Sequence, residues 1–216
     1  MREKIKRILL IDPPVSRPEE FSAETVRVSV MPPLGLMYLA AVLEEKNYEV
    51  QILDCTLEGH KKEVVEYSGG KIRYGLSDED IAKRILDFNP HVIGISCLFS
   101  AKIWDMENIS RLVKSVDPKI ITVVGGAHPG ATAKKTLENN NIDFVIIGEG
   151  EASFINLLET LESERNFDRL DGVAFRKDGR IIVRPKTKYI FNLDEIPFPA
   201  RHLVSMPRYF EYGLAH

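Results

Sequence analysis

Five short, mostly apolar runs, each followed by a segment of helical periodicity or a turn, constrain this 216-residue chain more than any other feature. They are IKRILLID (Ile5 to Asp12), EVQILD (Glu49 to Asp54), HVIGISCLF (His91 to Phe99), KIITVVGG (Lys119 to Gly126) and IDFVIIGEG (Ile142 to Gly150). Apolar runs this continuous mark strands covered on both faces. Between the first two lies PPLGLMYLAAVLEEKNY, with proline at its start and Leu36, Leu39, Ala40 and Leu43 on one helical stripe. SDEDIAKRILDFN offers Ser77 as a cap, acids in the first turn, and Ile81, Ile85 and Phe88 on one face. Met106, Ile109, Val113 and Val116 set the next helix, and Phe154, Leu157, Leu158 and Leu161 the one after the fifth run. Parallel neighbours need long crossovers, so this alternation predicts an α/β fold. The expected architecture is Rossmann-like: a five-stranded parallel sheet with helices on both faces, in the flavodoxin-like order 2-1-3-4-5.

Past Leu170 the period changes. DGVAFRKDGRIIVRP is two short apolar runs around Asp178-Gly179, a strong hairpin signal. The following KTKYIFNLDEIPFPARHLV has little periodicity and several prolines, and reads as an extended linker running over a surface or towards another domain. The expected division is a domain over residues 1–170, then hairpin and linker over 171–216. FEYGLAH is a weak ending for a domain, so the natural polypeptide is expected to continue.

A net charge of -3 gives no basic footprint, which argues against nucleic acid or an anionic membrane as partner. No apolar run has the length of a membrane span, and MREKIKRILLID is a charged start leading into a strand rather than a signal peptide. Two isolated cysteines, Cys55 and Cys97, provide neither a disulfide framework nor a zinc pattern, and fit a reducing, cytoplasmic setting.

Open parallel sheets bind ligands beyond the carboxyl ends of their strands, near the point where strand order reverses. There the sequence places DPPVSRP, SCLFSAK, GGAHPGA and GEGEAS. Gly94, Ser96, Gly125 and Gly126 would clear space for a ligand or, equally, allow tight packing of helix on sheet. No G-x-G-x-x-G follows the first strand and no G-x-x-x-x-G-K-[ST] occurs, so a phosphate cradle is lacking. A phosphoryl-acceptor domain would need clustered acids after strand one, Asp after strand three and Lys after strand five. Asp12 stands alone, and the other two positions read SCLFS and GEGE. Glu149 and Glu151 could cap the helix that begins there or accept bonds from a ligand. His128, at a helix start beside Pro129, has no accompanying metal-ligand spacing and caps the helix or meets a ligand at the groove mouth. No catalytic or metal-ligating set emerges from the spacing. A flavodoxin-like interaction module and a nucleotide-binding module stay open at this point.

Three stretches, taken together and in order, carry a resemblance: PPLGLMYLAAVLEEKNYEVQILD, VVGGAHPGATAKKTLENNNIDFVIIGEGE and LDGVAFRKDGRIIVRPKTKYIFNLDEIPFPAR. They resemble the N-terminal half of the cobalamin-dependent radical S-adenosylmethionine enzymes. The resemblance implies a Rossmann-like cobalamin-binding domain, cut from an enzyme that transfers methyl groups through methylcobalamin. It also implies a radical S-adenosylmethionine barrel as partner in the same polypeptide, carrying S-adenosylmethionine and a [4Fe-4S] cluster on C-x-x-x-C-x-x-C. That motif is absent from this chain. Many cobalamin domains carry D-x-H-x-x-G after strand one, whose His ligates cobalt. Here the stretch is DPPVSR: Asp12 is kept, Pro14 stands where His would be and Arg17 where Gly would be. Bound cobalamin is therefore expected base-off, without a protein imidazole. The resemblance assigns Pro13, Pro14 and Val15 to an apolar floor under the corrin ring and Leu98 and Phe99 to its edge. Gly94, Ser96, Gly125 and Gly126 would form a slot for the nucleotide tail, and His128 would meet the corrin amides or tail phosphate. Gly148, Glu149 and Gly150 complete the set, Glu149 as an acceptor for a ring amide or the tail ribose.

Overall fold

The structure, a computed structural model, describes residues 4–18, 30–60, 65–67, 70–163 and 166–212. The N-terminal Met1 and the C-terminal His216 lie outside the described residues. Five strands run parallel: β1 (Arg7–Asp12), β3 (Glu49–Asp54), β6 (Val92–Ser96), β7 (Ile121–Gly125) and β8 (Phe144–Ile146). Their spatial order is β3-β1-β6-β7-β8, which in chain order of the parallel strands is 2-1-3-4-5.

The expectation of five strands needs correction. The hairpin is part of the same sheet: β9 (Val173–Lys177) pairs antiparallel with β8, and β10 (Arg180–Arg184) pairs with β9, making a seven-stranded mixed sheet. The turn between them, Asp178-Gly179, has φ of 51° and 72°, the two positive values that match the twist of flanking strands. β9 pairs there because β8 is the last of the parallel strands and its outer edge would otherwise present unpaired backbone.

Period-two alternation sorts each strand between two cores. Ile8 and Leu10 of β1, Val123 of β7, and Val173 and Phe175 of β9 face one cluster. Leu9, Ile11, Val124 and Ala174 face the other. The first is covered by α1 (Leu34–Glu45) and α7 (Gly150–Glu162), through Met37, Ala40, Leu43, Phe154, Leu157 and Leu158. The second is covered by α3 (Asp78–Phe88), whose Ser77 side chain caps Asp80 N–H, by α4 (Ile103–Val116), and by residues of α6 (Ala133–Thr136).

Three features had no clear sequence signal: a small sheet, a short helix and a break in the helix after β7. The stretch after β1 forms β2 (Val15–Pro18), which joins β5 (Lys71–Tyr74) and β4 (Val65–Tyr67) in a small antiparallel sheet. A four-residue helix, α2 (Cys55–Glu58), follows β3 directly. The helix after β7 is broken: α5 (Ala127–Ala131) stops at Thr132 before α6 begins. The segment after β10 does not leave the domain. Ala200 N–H bonds to Met37 carbonyl at 3.0 Å, and α8 (Met206–Tyr212) packs Tyr209 against Val30 and Leu57.

Candidate functional site

A cavity of about 550 Å³ opens at the carboxyl edge of the parallel strands. Its size lies in the range of small-molecule sites. One wall is residues 30–36, the loop and first turn of α1; the opposite side is Gly148, Glu149, Gly150 and Glu151 at the start of α7. Gly94, Ile95, Ser96, Gly125 and Gly126 form its back, from the ends of β6 and β7. Leu98 and Phe99, 57% and 69% exposed, line it together with the exposed Met31 and Leu34.

Its floor is polar, and strand register explains why. Asp12 and Asp54 end neighbouring strands as paired positions, so two carboxylates are set side by side. Lys102, from the turn before α4, donates Nζ to Asp12 Oδ1 and Oδ2 at 3.2 and 3.0 Å and to Pro13 carbonyl at 3.3 Å. Thr56 Oγ1 also reaches Pro13 carbonyl, at 3.4 Å. Asp54 Oδ1 caps α2 through Leu57 N–H at 2.9 Å, and its Oδ2 accepts the Tyr209 hydroxyl at 2.7 Å. Burial raises the Asp54 carboxyl to about 6; its bond from Leu57 N–H opposes the rise and the neighbouring Asp12 charge adds to it. Burial likewise raises Asp12, against the pull of Lys102. Burial acts on the two thiols in the same sense, pushing Cys97 up to about 11 and Cys55 well above its ordinary value.

Ten of the thirteen residues expected at the site line this cavity: Val15, Gly94, Ser96, Leu98, Phe99, Gly125, Gly126, Gly148, Glu149 and Gly150. Pro13, Pro14 and His128 are not in its lining. Pro13 and Pro14 are buried and lead directly into β2, Val15–Pro18. The His128 ring lies between hydroxyls, with Ser100 Oγ 3.0 Å from Nδ1 and Thr132 Oγ1 3.4 Å from Nε2. Glu149 occupies the N-cap position of α7 without a side-chain cap bond; instead its Oε2 accepts Ile190 N–H at 2.9 Å.

The glycines divide by cause. Gly126 has φ of 112°, and a Cβ there would stand 2.6 Å from Cys97 carbonyl oxygen, so the turn itself requires glycine. A Cβ on Gly94 would meet Leu10 Cδ2 at 2.8 Å, a packing constraint. A Cβ on Gly125 would have Ile146 Cβ as its nearest neighbour, at an ordinary 3.6 Å. Gly125 therefore has no steric reason of its own to be glycine, and its smallness leaves room in the cavity. Sequence reasoning missed Asp12, Asp54, Thr56 and Lys102 as lining residues, together with the wall at residues 30–36. Among the described residues no group of three or more His, Cys, Asp or Glu is placed to hold a metal ion, and no helix is long and apolar enough to cross a membrane.

Residues 25–158, more than half of the chain, match the family described as the B12 binding domain. The chain belongs to the B12-binding domain family. Cobalamin is the cofactor of that family. The domain is 38% identical over 201 residues to cytidylyl-2-hydroxyethylphosphonate methyltransferase of Streptomyces wedmorensis, covering 83% of this chain and 38% of that protein. It is 32% identical over 212 residues to an uncharacterized methyltransferase of Pyrococcus horikoshii, covering 98% of this chain and 41% of that protein. The chain thus spans about two fifths of the length of these relatives. Among solved structures, the fold is similar to part of OxsB, a cobalamin-dependent S-adenosylmethionine radical enzyme solved with aqua-cobalamin and S-adenosylmethionine bound. The TM-score is 0.70 at 17% identity, covering 96% of this chain and 25% of that one.

Proposed function

We propose that this B12-binding domain holds cobalamin base-off, with no protein imidazole on cobalt, as the cofactor-binding part of a longer radical S-adenosylmethionine methyltransferase. The observation that carries the reading is the cavity: a slot of about 550 Å³ at the carboxyl edge, set below exposed Met31, Leu34, Leu98 and Phe99. Such a slot suits a nucleotide tail, and an apolar rim suits the face of a macrocycle. Gly125 and Ser96 would border the tail, and Leu98 and Phe99 the ring. Of DPPVSR, Asp12 and Val15 reach the cavity while Pro14 does not, and among the described residues no histidine lines it. His128, held between Ser100 and Thr132, would serve the rim by ordering the turn that contains Gly126. Bound cobalamin supplies carbon–cobalt chemistry. The chain's own residues bind and orient the cofactor and shield one side of it from water.

The division of labour follows from length and surface. The methyltransferase relatives are more than twice as long as this chain. Phe191 and Phe198, 94% and 90% exposed, stand on the segment after the hairpin and would pack against further polypeptide. The cofactor unit extends through the hairpin to about residue 184, because β9 is buried in both cores; residues 185–212 form a strap across it. The S-adenosylmethionine and the iron–sulfur cluster belong to the part beyond it.

The ligation claim is tested by electron paramagnetic resonance of the domain reconstituted with cob(II)alamin. The expected spectrum lacks nitrogen superhyperfine splitting. Splitting from one coordinated nitrogen would overturn the claim.

A further inference from the structure

The two carboxylates at the outer edges of the cavity are both tied to the C-terminal strap. Asp54 ends β3 and Glu149 follows β8, the outermost members of the parallel set. Glu149 Oε2 accepts Ile190 N–H, and Asp54 Oδ2 accepts the Tyr209 hydroxyl. The second contact joins residues 155 apart in sequence and is sealed from solvent, Asp54 being 4% and Tyr209 3% exposed. The Tyr209 side chain packs with Val30 and Leu57, and Val30 is itself part of the cavity wall. Arg208 Nη2 adds a bond to Leu57 carbonyl at 2.8 Å, fixing α8 on α2. One side chain of α8 therefore touches the floor carboxylate and the wall at once. Packing alone would be met by phenylalanine; a buried hydroxyl is retained only where it has a partner, and here that partner is Asp54.

We propose that Tyr209 is a positioning residue for the cofactor cavity: by holding Asp54 at the floor and Val30 in the wall, it makes docking of α8 and binding in the cavity one coupled event. The inference rests on the cobalamin reading given above. Coupling of this kind is reciprocal: a ligand that tightens when α8 is docked must itself tighten α8. In a longer polypeptide, α8 would then carry the occupancy of the cavity to the residues that follow it.

The test measures hydrogen–deuterium exchange of residues 206–212, with and without saturating hydroxocobalamin, together with the hydroxocobalamin dissociation constant. Wild type, Tyr209→Phe and Phe210→Ala are compared, Phe210 being an exposed residue of the same helix. In the wild type, hydroxocobalamin should slow exchange in α8 several-fold. Tyr209→Phe should weaken binding by about tenfold, the scale of one buried hydrogen bond to a charged acceptor, and should abolish the protection. Phe210→Ala should leave both unchanged. Equal affinity in Tyr209→Phe, or α8 exchange indifferent to hydroxocobalamin in a wild type that binds it, overturns the inference and leaves the cofactor reading standing. A wild type that binds no hydroxocobalamin overturns both. Should Tyr209→Phe fail to fold, the wild-type exchange result decides alone.

Discussion

At the scale of single residues, Gly125 and Gly126 look alike in sequence and differ in the structure. A Cβ on Gly126 collides with Cys97 carbonyl, whereas one on Gly125 has its nearest neighbour at 3.6 Å. Gly126→Ala should therefore cost roughly 1–3 kcal/mol of stability through backbone strain, read as a lowered midpoint in urea. Gly125→Val should leave that midpoint nearly unchanged and weaken hydroxocobalamin binding by at least about tenfold, the cost of roughly 1.4 kcal/mol of lost fit. The GG pair was legible as an edge feature, but its two causes were not, because φ and cross-strand approach belong to the fold. Asp54 makes a second residue-scale prediction. Its folded carboxyl lies at about 6 against an ordinary 3.8, so the folded chain binds more protons than the unfolded chain between those values. Stability from this group is then present at low pH and is lost as pH rises from about 4 to 6. The groups around it are Asp12, Lys102, Leu57 N–H and Tyr209, and the rise at Asp12 acts in the same sense. Thermal unfolding should show a higher midpoint at pH 5 than at pH 7, and Asp54→Asn should flatten that difference. A wild-type midpoint that climbs steadily from pH 5 to 7 would contradict the burial assigned to this carboxylate.

At the scale of elements, the parallel strands were readable because burial on both faces writes long apolar runs. The helices were readable because burial on one face writes a stripe. The small sheet was not readable. VSRP sits among prolines, and KIRY is too short and too charged to announce a strand; they pair because β1 and α3 bring them together. The course of the strap over the domain was not readable in detail, since its attachments are isolated bonds such as Ala200 N–H to Met37 carbonyl and the Tyr209 hydroxyl to Asp54, which leave no period in the sequence. The hairpin was legible from Asp178-Gly179, its place in the main sheet was not. Val173, Ala174 and Phe175 are all buried there, and the Phe175 ring lies 5.0 and 6.3 Å from those of Phe167 and Phe144. Phe175→Ala should cost about 3–5 kcal/mol of stability, as for other buried aromatic truncations, measured by chemical denaturation. A cost below about 1 kcal/mol would mean that the hairpin is an appendage after all.

At the scale of the molecule, the fold explains why chemistry gathers at one edge. Parallel strands deliver Asp12, Asp54, Ser96, Gly125 and Glu149 to the same side, although 137 positions separate the first from the last. The polar floor escaped the sequence because Asp12, Asp54 and Lys102 are far apart in the chain and are joined only by strand register and a turn. The apolar rim was half visible, in SCLFS; its other half, at Met31 and Leu34, reads in sequence as the plain start of a helix. The central claim is that this cavity holds cobalamin. Incubating the protein with hydroxocobalamin, desalting it and recording the visible spectrum tests that claim most directly. The account predicts a corrinoid spectrum that elutes with the protein at about one equivalent, as a single specific site requires. Protein eluting without corrinoid absorbance would contradict it.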